Sequence, residues 1–225
     1  MTTRAKALGF GVVLLAGGVA YARHVASSHR AARAAANLAA SVTRGDLVLH
    51  VPHLTGAITL DGDMDDPGWV RSPGPARTGE FLLENGKPAR PHTHARLVWG
   101  GEYLYMAVLA SDEDIRSYDH IHIAFSQGDT ERAIDVSPDA VIKGSIRGVH
   151  ASAEIDGTID KPNNFDEEWS LELAIPFESL GMKGERGENI GMSLSRCDAP
   201  KDGSWVCAGW GDGRGHRGRG RIVLD

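Results

Sequence analysis

The chain has 225 residues, of which 41% are hydrophobic and 24% charged, and it carries a net charge of −6 at pH 7. This is the composition of an ordinary globular protein, large enough for one domain with an appendage or for two small domains. The acidic balance argues against general nucleic-acid binding, and 28 glycines with 10 prolines favour frequent turns between many short strands.

The first 22 residues show the pattern of an export signal. Arg4 and Lys6 precede an apolar run that ends in the small residues Ala20 and Ala22. The run is somewhat short for a membrane-spanning helix, so residues 1–22 are predicted to be a signal peptide or an uncleaved membrane anchor. A buried N-terminal helix is the third interpretation. A signal peptide or a membrane anchor would place the rest of the chain outside the cytoplasm: in the periplasm, in the cell envelope or secreted.

The next segment, residues 23–45, is rich in alanine and arginine and contains few large apolar side chains. Alanine and arginine favour helix, but this segment cannot build a core by itself. We predict a helical or flexible spacer between the N-terminal segment and a folded domain at residues 46–225.

From residue 46 onwards, short apolar runs alternate with Gly, Pro, Asp and Asn. The clearest run is 169–175, where Trp169, Leu171, Leu173 and Ile175 lie on one face of a predicted strand. About ten such strands predict an all-β fold, an antiparallel β-sandwich with a jelly-roll-like arrangement.

Two cysteines, Cys197 and Cys207, flank a turn-like sequence at 198–204. Strands on either side of such a turn can lie next to each other. In an oxidising compartment the two cysteines are expected to form a disulfide, whereas in the cytosol they would be free thiols.

Five stretches resemble, in the same order, the family 9 carbohydrate-binding modules and their DOMON-like relatives. The stretch at 169–181, Trp-Ser-Leu-Glu-Leu-Ala-Ile-Pro-Phe-Glu-Ser-Leu-Gly, is the closest match, and the similarity extends from about residue 46 to the C-terminus. The resemblance implies a β-sandwich that binds sugars and is often attached to glycoside hydrolases in carbohydrate catabolism. The other four stretches are residues 58–69, 95–107 followed by Asp112, 119–125 and 218–224.

The resemblance also indicates where a sugar would bind. Sugar-binding members place a Trp before the stretch at 119–125, where this chain offers Tyr118, and a Glu on it, where this chain has His122. The family also has an Arg on the next strand, and in this chain Asp135 stands near that position. The family has a second Trp in its last loop. The corresponding loop of this chain contains no Trp, and Trp210 lies a few residues before it. The hypothesis is that these residues and the neighbouring His120 line the ligand-binding face.

His120 and His122 are two residues apart, so they share one face of a strand. With Asp135 on a neighbouring strand they could hold a metal ion or bind a polar ligand, and they could equally be a solvent-facing polar pair.

Asp61, Asp63 and Asp65 alternate like the opening of a calcium-binding loop. The EF-hand pattern fails, because Asp66 stands at the sixth position and Ser72 at the twelfth. A structural calcium ion in a sandwich loop stays a hypothesis, because clustered carboxylates repel one another unless a cation or hydrogen bonds compensate.

No nucleophile elbow, P-loop, zincin motif or dinucleotide fingerprint is present in the sequence. We therefore expect a non-catalytic carbohydrate-binding module at the cell envelope that binds an oligo- or polysaccharide and acts beside a separate glycoside hydrolase. Membrane contact is expected only through the N-terminal segment. Two alternatives remain: a structural or adhesion domain that has lost sugar binding, and a haem-binding electron-transfer domain, for which Met106, Met192 and the two strand histidines are the available ligands.

Overall fold

A computed structural model describes residues 47–71, 74–161, 165–198, 205–210 and 220–225. The predicted signal or anchor at 1–22 and the predicted spacer at 23–45 lie outside the described residues. Within the described part of the chain, no helix has the length and apolar character needed to cross a membrane.

The described residues form twelve strands and two one-turn helices. The helices are α1 (Pro67–Val70) and α2 (Phe177–Leu180). The strands are β1 (Val48–Val51), β2 (Ala76–Arg77), β3 (Thr93–Gly100), β4 (Tyr103–Ser111), β5 (His120–Gln127), β6 (Thr130–Val136), β7 (Ile142–Gly144), β8 (His150–Asp156), β9 (Glu168–Pro176), β10 (Asn189–Asp198), β11 (Val206–Trp210) and β12 (Gly220–Leu224).

These strands form two sheets. Sheet A has the order β1-β12-β10-β5-β6-β7, with β11 also paired to β10, and sheet B has the order β2-β3-β4-β9-β8. The strand pairs are antiparallel except for β1 and β12, which run parallel. The predicted all-β sandwich is therefore confirmed.

The core lies between the two sheets and follows the period of two that strands impose. Trp169, Leu171, Leu173 and Ile175 of β9 are all 0–1% exposed, as their alternation predicts. Side chains of β5 such as Phe125 meet them from sheet A. Each large apolar side chain buried in this way contributes about 1.5–3 kcal/mol to stability.

The outer face of sheet B carries a second, smaller core. Residues 54–70, here called the covering segment, pack over this face, where Trp69 is 1% exposed. Its side chain lies among apolar groups of the segment and of β3 and β4: Leu54, Ile58, Met64, Val98, Tyr105 and Ala107. Sheet B is therefore closed on both of its faces where the segment lies.

Glu172 of β9 anchors the covering segment. Its side chain points to the outer face and is fully buried. One carboxylate oxygen accepts the backbone N–H groups of Asp61 and Gly62 at 3.0 and 2.9 Å, and the other accepts the indole N–H of Trp69 at 2.5 Å. Burial raises the pKa of the Glu172 carboxyl, and these three donors counteract that shift.

Candidate ligand-binding groove on sheet A

The outer face of sheet A carries a polar row across four neighbouring strands. Ser195 of β10 lies opposite His122 of β5, His122 opposite Asp135 of β6, and Asp135 opposite Lys143 of β7. The residues on either side of His122 point into the core, so the row faces outwards. The structure thereby brings His122 and Asp135 together, as the sequence predicted for one face.

His122 and Asp135 form the centre of this row. Their Nδ1 and Oδ1 atoms are 2.7 Å apart, and both side chains are partly exposed. The carboxylate of Asp135 can only accept a hydrogen bond, so the Nδ1 atom of His122 carries the proton and donates it. In the neutral ring the Nε2 atom is then a free acceptor for a ligand hydroxyl, and in the protonated ring it is a donor. The Ser195 hydroxyl is buried and has no hydrogen-bond partner among the described residues.

A groove lies beside the row, with a volume of about 170 Å³. Its walls combine aromatic, charged and hydroxyl-bearing side chains. The residues that matter for ligand chemistry are Tyr118, His120, Asp135, Ser137, Val141 and Lys143.

An exposed aromatic cluster stands at the groove. Tyr118 is 50% exposed and Trp205 is 54% exposed, with their ring centroids 5.5 Å apart. The ring of His120 lies 6.0 Å from that of Trp205, and its Nδ1 atom bonds the backbone oxygen of Tyr118 at 3.0 Å. Large aromatic surfaces that remain exposed at a groove are typical of ligand-binding sites rather than of cores.

The disulfide explains how Trp205 reaches this cluster. Cys197 and Cys207 are bonded, with an S–S distance of 2.02 Å, so the predicted pairing is confirmed. Cys197 lies opposite His120 in the register of β10 with β5. Trp205 is two residues before Cys207, and the bond to β10 therefore holds it beside the start of β5. Sequence reasoning missed Trp205, although its place next to the cysteine pair could have indicated it.

Four aspartate side chains, three of them buried and one exposed, hold the loop that carries Tyr118. In residues 112–119, here called the tyrosine loop, four consecutive backbone N–H groups donate to aspartate side chains at distances between 2.7 and 3.1 Å. The donors are Asp114, Ile115, Arg116 and Ser117, and the acceptors are Asp112, Asp166, Asp119 and Asp160. A loop whose backbone is fixed in this way loses less entropy when it binds a ligand.

Arg196 is a residue of β10, and its side chain connects that strand to the tyrosine loop. Its Nη2 atom lies 2.7 Å from Asp112 Oδ2 and 3.6 Å from Asp198 Oδ1, and all three residues are buried. Burial raises the pKa of Asp198 to about 6, helped by the nearby Asp112 and opposed by the Arg196 charge. The positive guanidinium compensates the charge of the buried carboxylates beside it.

The structure does not gather the predicted calcium ligands. Asp61, Asp63 and Asp65 are exposed, and Asp61 Oδ1 accepts the Asp63 N–H at 3.0 Å. Among the described residues, the one acidic trio whose ligand atoms lie within 4.8 Å of one another is a buried set: Asp112, Asp119 and Asp198. The possible metal-ligand atoms of His120, His122 and Asp135 do not form such a group either.

Trp210 does not belong to the groove, and its assignment to the ligand face is wrong. It is 6% exposed and packs in the core, opposite Leu194 of β10. The two methionines considered as haem ligands, Met106 and Met192, are likewise core side chains at 0% and 1% exposure.

No family model matches the chain, and no curated protein matches it. Solved structures do resemble it. A family 9 carbohydrate-binding module from Caldicellulosiruptor kristjanssonii, solved with cellotriose, has a TM-score of 0.56 at 14% identity over 79% of this chain and 93% of that one. The same organism's module in complex with glucose gives a TM-score of 0.54 at 15% identity over 78% and 95%.

A third solved structure is a candidate carbohydrate-binding protein from Bacteroides uniformis ATCC 8492. Its TM-score is 0.59 at 12% identity, and the match covers 80% of this chain and 100% of that one. Together these structures show that the chain has the fold of the family 9 carbohydrate-binding modules, which confirms the resemblance at the level of the fold.

Proposed function

We propose that this domain is a non-catalytic carbohydrate-binding module whose ligand site is the groove on sheet A. The observation that carries the proposal is the exposed pair of Tyr118 and Trp205 directly beside the polar row of His122 and Asp135. The fold shared with sugar-binding modules supports it.

The chemistry of the groove suits a sugar. A pyranose ring has an apolar face of C–H groups that packs against an aromatic ring, and a rim of hydroxyls that needs donors and acceptors. Tyr118 and Trp205 supply the first surface. His122 Nε2, the carboxylate of Asp135, and the side chains of Ser137 and Lys143 supply the second.

The size of the groove indicates how a polymer would bind. At about 170 Å³ it is smaller than sites that enclose a drug-sized ligand, which measure roughly 300–1,000 Å³. We infer that it contacts one sugar unit at a time, such as a chain end, while the rest of an oligo- or polysaccharide stays in solvent.

The setting is an extracytoplasmic one in this proposal. A disulfide persists in oxidising compartments, and the export-like pattern at residues 1–22 agrees with that location. The module would hold a polysaccharide at the cell envelope for a separate glycoside hydrolase, which supplies the catalysis.

The test is a glycan array and titration calorimetry with the compact unit Thr43–Asp225. We expect saturable binding that Trp205→Ala weakens by about tenfold or more, because loss of a central aromatic contact costs at least about 1.4 kcal/mol. Tyr118→Ala should act in the same direction. Tyr103→Ala on sheet B is the matched control and should leave binding unchanged.

Absence of binding to any glycan by a well-folded protein would contradict the proposal. It would favour the structural or adhesion alternative. A Soret band in the purified protein would instead point to the haem-binding alternative.

A further inference from the structure

Two arginines face each other at the edge of sheet B. Arg77 of β2 lies directly opposite Arg96 of β3 in the antiparallel register, so their side chains share one face. Their neighbours on β3, Ala95 and Leu97, point into the core, which places both arginines on the outer face. Like charges directly across a strand pair destabilise a sheet unless something neutralises them.

Among the ion pairs of the described residues, neither arginine takes part. The nearby Glu80 is engaged with Arg90 at 3.5 Å and with His92 at 3.2 Å. Asp63 and Asp65 flank the backbone that Arg96 approaches, yet no ion pair within 4.0 Å joins them to the arginine.

The hydrogen bonds of Arg96 are equally incomplete. Its Nη1 atom reaches the backbone oxygen of Met64 only at 3.5 Å, the long limit of a hydrogen bond. Its Nε atom is buried and has no partner among the described residues. A buried donor without an acceptor costs about 1–3 kcal/mol, so the guanidinium is under-satisfied in both charge and hydrogen bonding.

The electrostatic consequences reach His94 on the same face of β3. Burial, with the charges of Arg96 and Arg77, lowers the pKa of His94 to about 4. Burial and the Arg77 charge lower the pKa of Arg96 to about 10. At neutral pH both arginines are still charged and His94 is neutral, with one ring N–H to donate. This positive site lies on a protein with a net charge of −6.

We propose that Arg77, His94 and Arg96 form a binding site for an oxyanion, namely a carboxylate, sulfate or phosphate group. A guanidinium presents its N–H groups as a planar fork that matches two oxygens of such a group. A bound oxyanion would neutralise the opposed arginines and accept hydrogen bonds from their terminal N–H groups. The site lies on the sheet opposite the sugar groove and does not depend on the proposed sugar binding.

The oxyanion could be a free ion or a charged group on an acidic polysaccharide, and the experiment separates the two. Thermal unfolding of the full-length chain is followed in sodium phosphate, sodium sulfate and polygalacturonate, each against sodium chloride at equal ionic strength. We expect a saturable rise in Tm in at least one of the three. A response to phosphate or sulfate identifies a free-ion site, and a response to polygalacturonate identifies a site for acidic sugars.

The variants assign the effect. Arg96→Gln should abolish the saturable response, and Arg77→Gln should weaken the apparent affinity by about tenfold, the loss of one charge-assisted contact. Arg221→Gln is the matched control, because this exposed arginine of β12 bonds Asn189 on sheet A. It should retain the wild-type response.

Two results would overturn the proposal. One is a response equal in wild type and both variants, since excluded anions stabilise any folded protein in that way. The other is no saturable response of the wild type to any of the three anions. If Arg96→Gln does not fold, Arg77→Gln decides the question by itself.

Discussion

The outer face of sheet B carries a second small core, whereas the outer face of sheet A carries an open groove. On sheet B, the covering segment brings Trp69 and the acceptor Glu172 to 1% and 0% exposure. On sheet A, Tyr118 and Trp205 remain about half exposed. Both faces have aromatic rings beside carboxylates, so the residue types alone do not distinguish a structural face from a binding face.

The surroundings of Glu172 and the groove differ in whether their polar groups are satisfied. Both carboxylate oxygens of Glu172 accept donors from the covering segment, and Ser170 and Ser152 donate to that segment's backbone oxygens Gly62 O and Leu60 O. In the groove, the His122–Asp135 pair uses one ring nitrogen and one carboxylate oxygen and leaves the others for a ligand.

The largest effect is expected from Glu172→Ala. The substitution leaves the indole N–H of Trp69 and two backbone N–H groups without an acceptor beneath the covering segment. We expect the free energy of unfolding to fall by about 3–5 kcal/mol, measured by denaturant titration. Glu154→Ala, at an exposed position on the outer face of β8, is the control and should cost less than about 0.5 kcal/mol. Equal losses of unfolding free energy in the two variants would show that the hydrogen bonds of Glu172 do not stabilise the covering segment.

A glycine pair gives the next largest effect. Gly62 has φ +101°, and a Cβ atom there would lie 2.4 Å from the backbone of Ala153. Gly101 in the β3–β4 turn has φ +57° and open space around it. Gly62→Ala should therefore cost about 2–4 kcal/mol and Gly101→Ala about 1 kcal/mol in unfolding free energy. A smaller loss at Gly62 would show that the covering segment can lift away from β8 at low cost.

The support beneath the groove should respond to pH. The pKa of Asp198 is raised from 3.8 to about 6 in the folded protein. Between about pH 4 and pH 6 the Asp198 carboxyl is therefore protonated in the folded state and ionised in the unfolded state. The stability that this difference in proton binding provides is fully present below pH 4 and is lost as the pH rises through 6. The stability difference between wild type and Asp198→Asn should change by about 2–3 kcal/mol between pH 4 and pH 7. A pH-independent difference would contradict the raised pKa.

The smallest effect on stability is expected at the open face. Trp205→Ala should change the free energy of unfolding by less than about 0.5 kcal/mol, because the side chain is already half exposed in the folded state. Its effect on sugar binding should be large, as described above. A stability loss similar to that of Glu172→Ala would mean that the aromatic cluster is structural, and the contrast between the two faces would fail.

The amino-acid sequence by itself determined the class of fold and the core face of its best strand. Alternation at 169–175 is a local property, because a strand places every second side chain on the same face wherever its partners lie. For Cys197 and Cys207 the sequence left a disulfide and two free thiols open, and the structure shows the disulfide. The five ordered stretches likewise led to the fold that the solved structures share.

Only the tertiary structure decided which tryptophan faces the groove. Trp205 and Trp210 are five residues apart, so a continuous strand would point them to opposite faces, and only the register of β11 on β10 selects which one is buried. Likewise, Glu172 meets Gly62 across 110 residues of sequence, and no local pattern reports that contact. Side-chain direction in a strand is local, but the identity of the covered face depends on distant segments, because burial is a property of what packs on top.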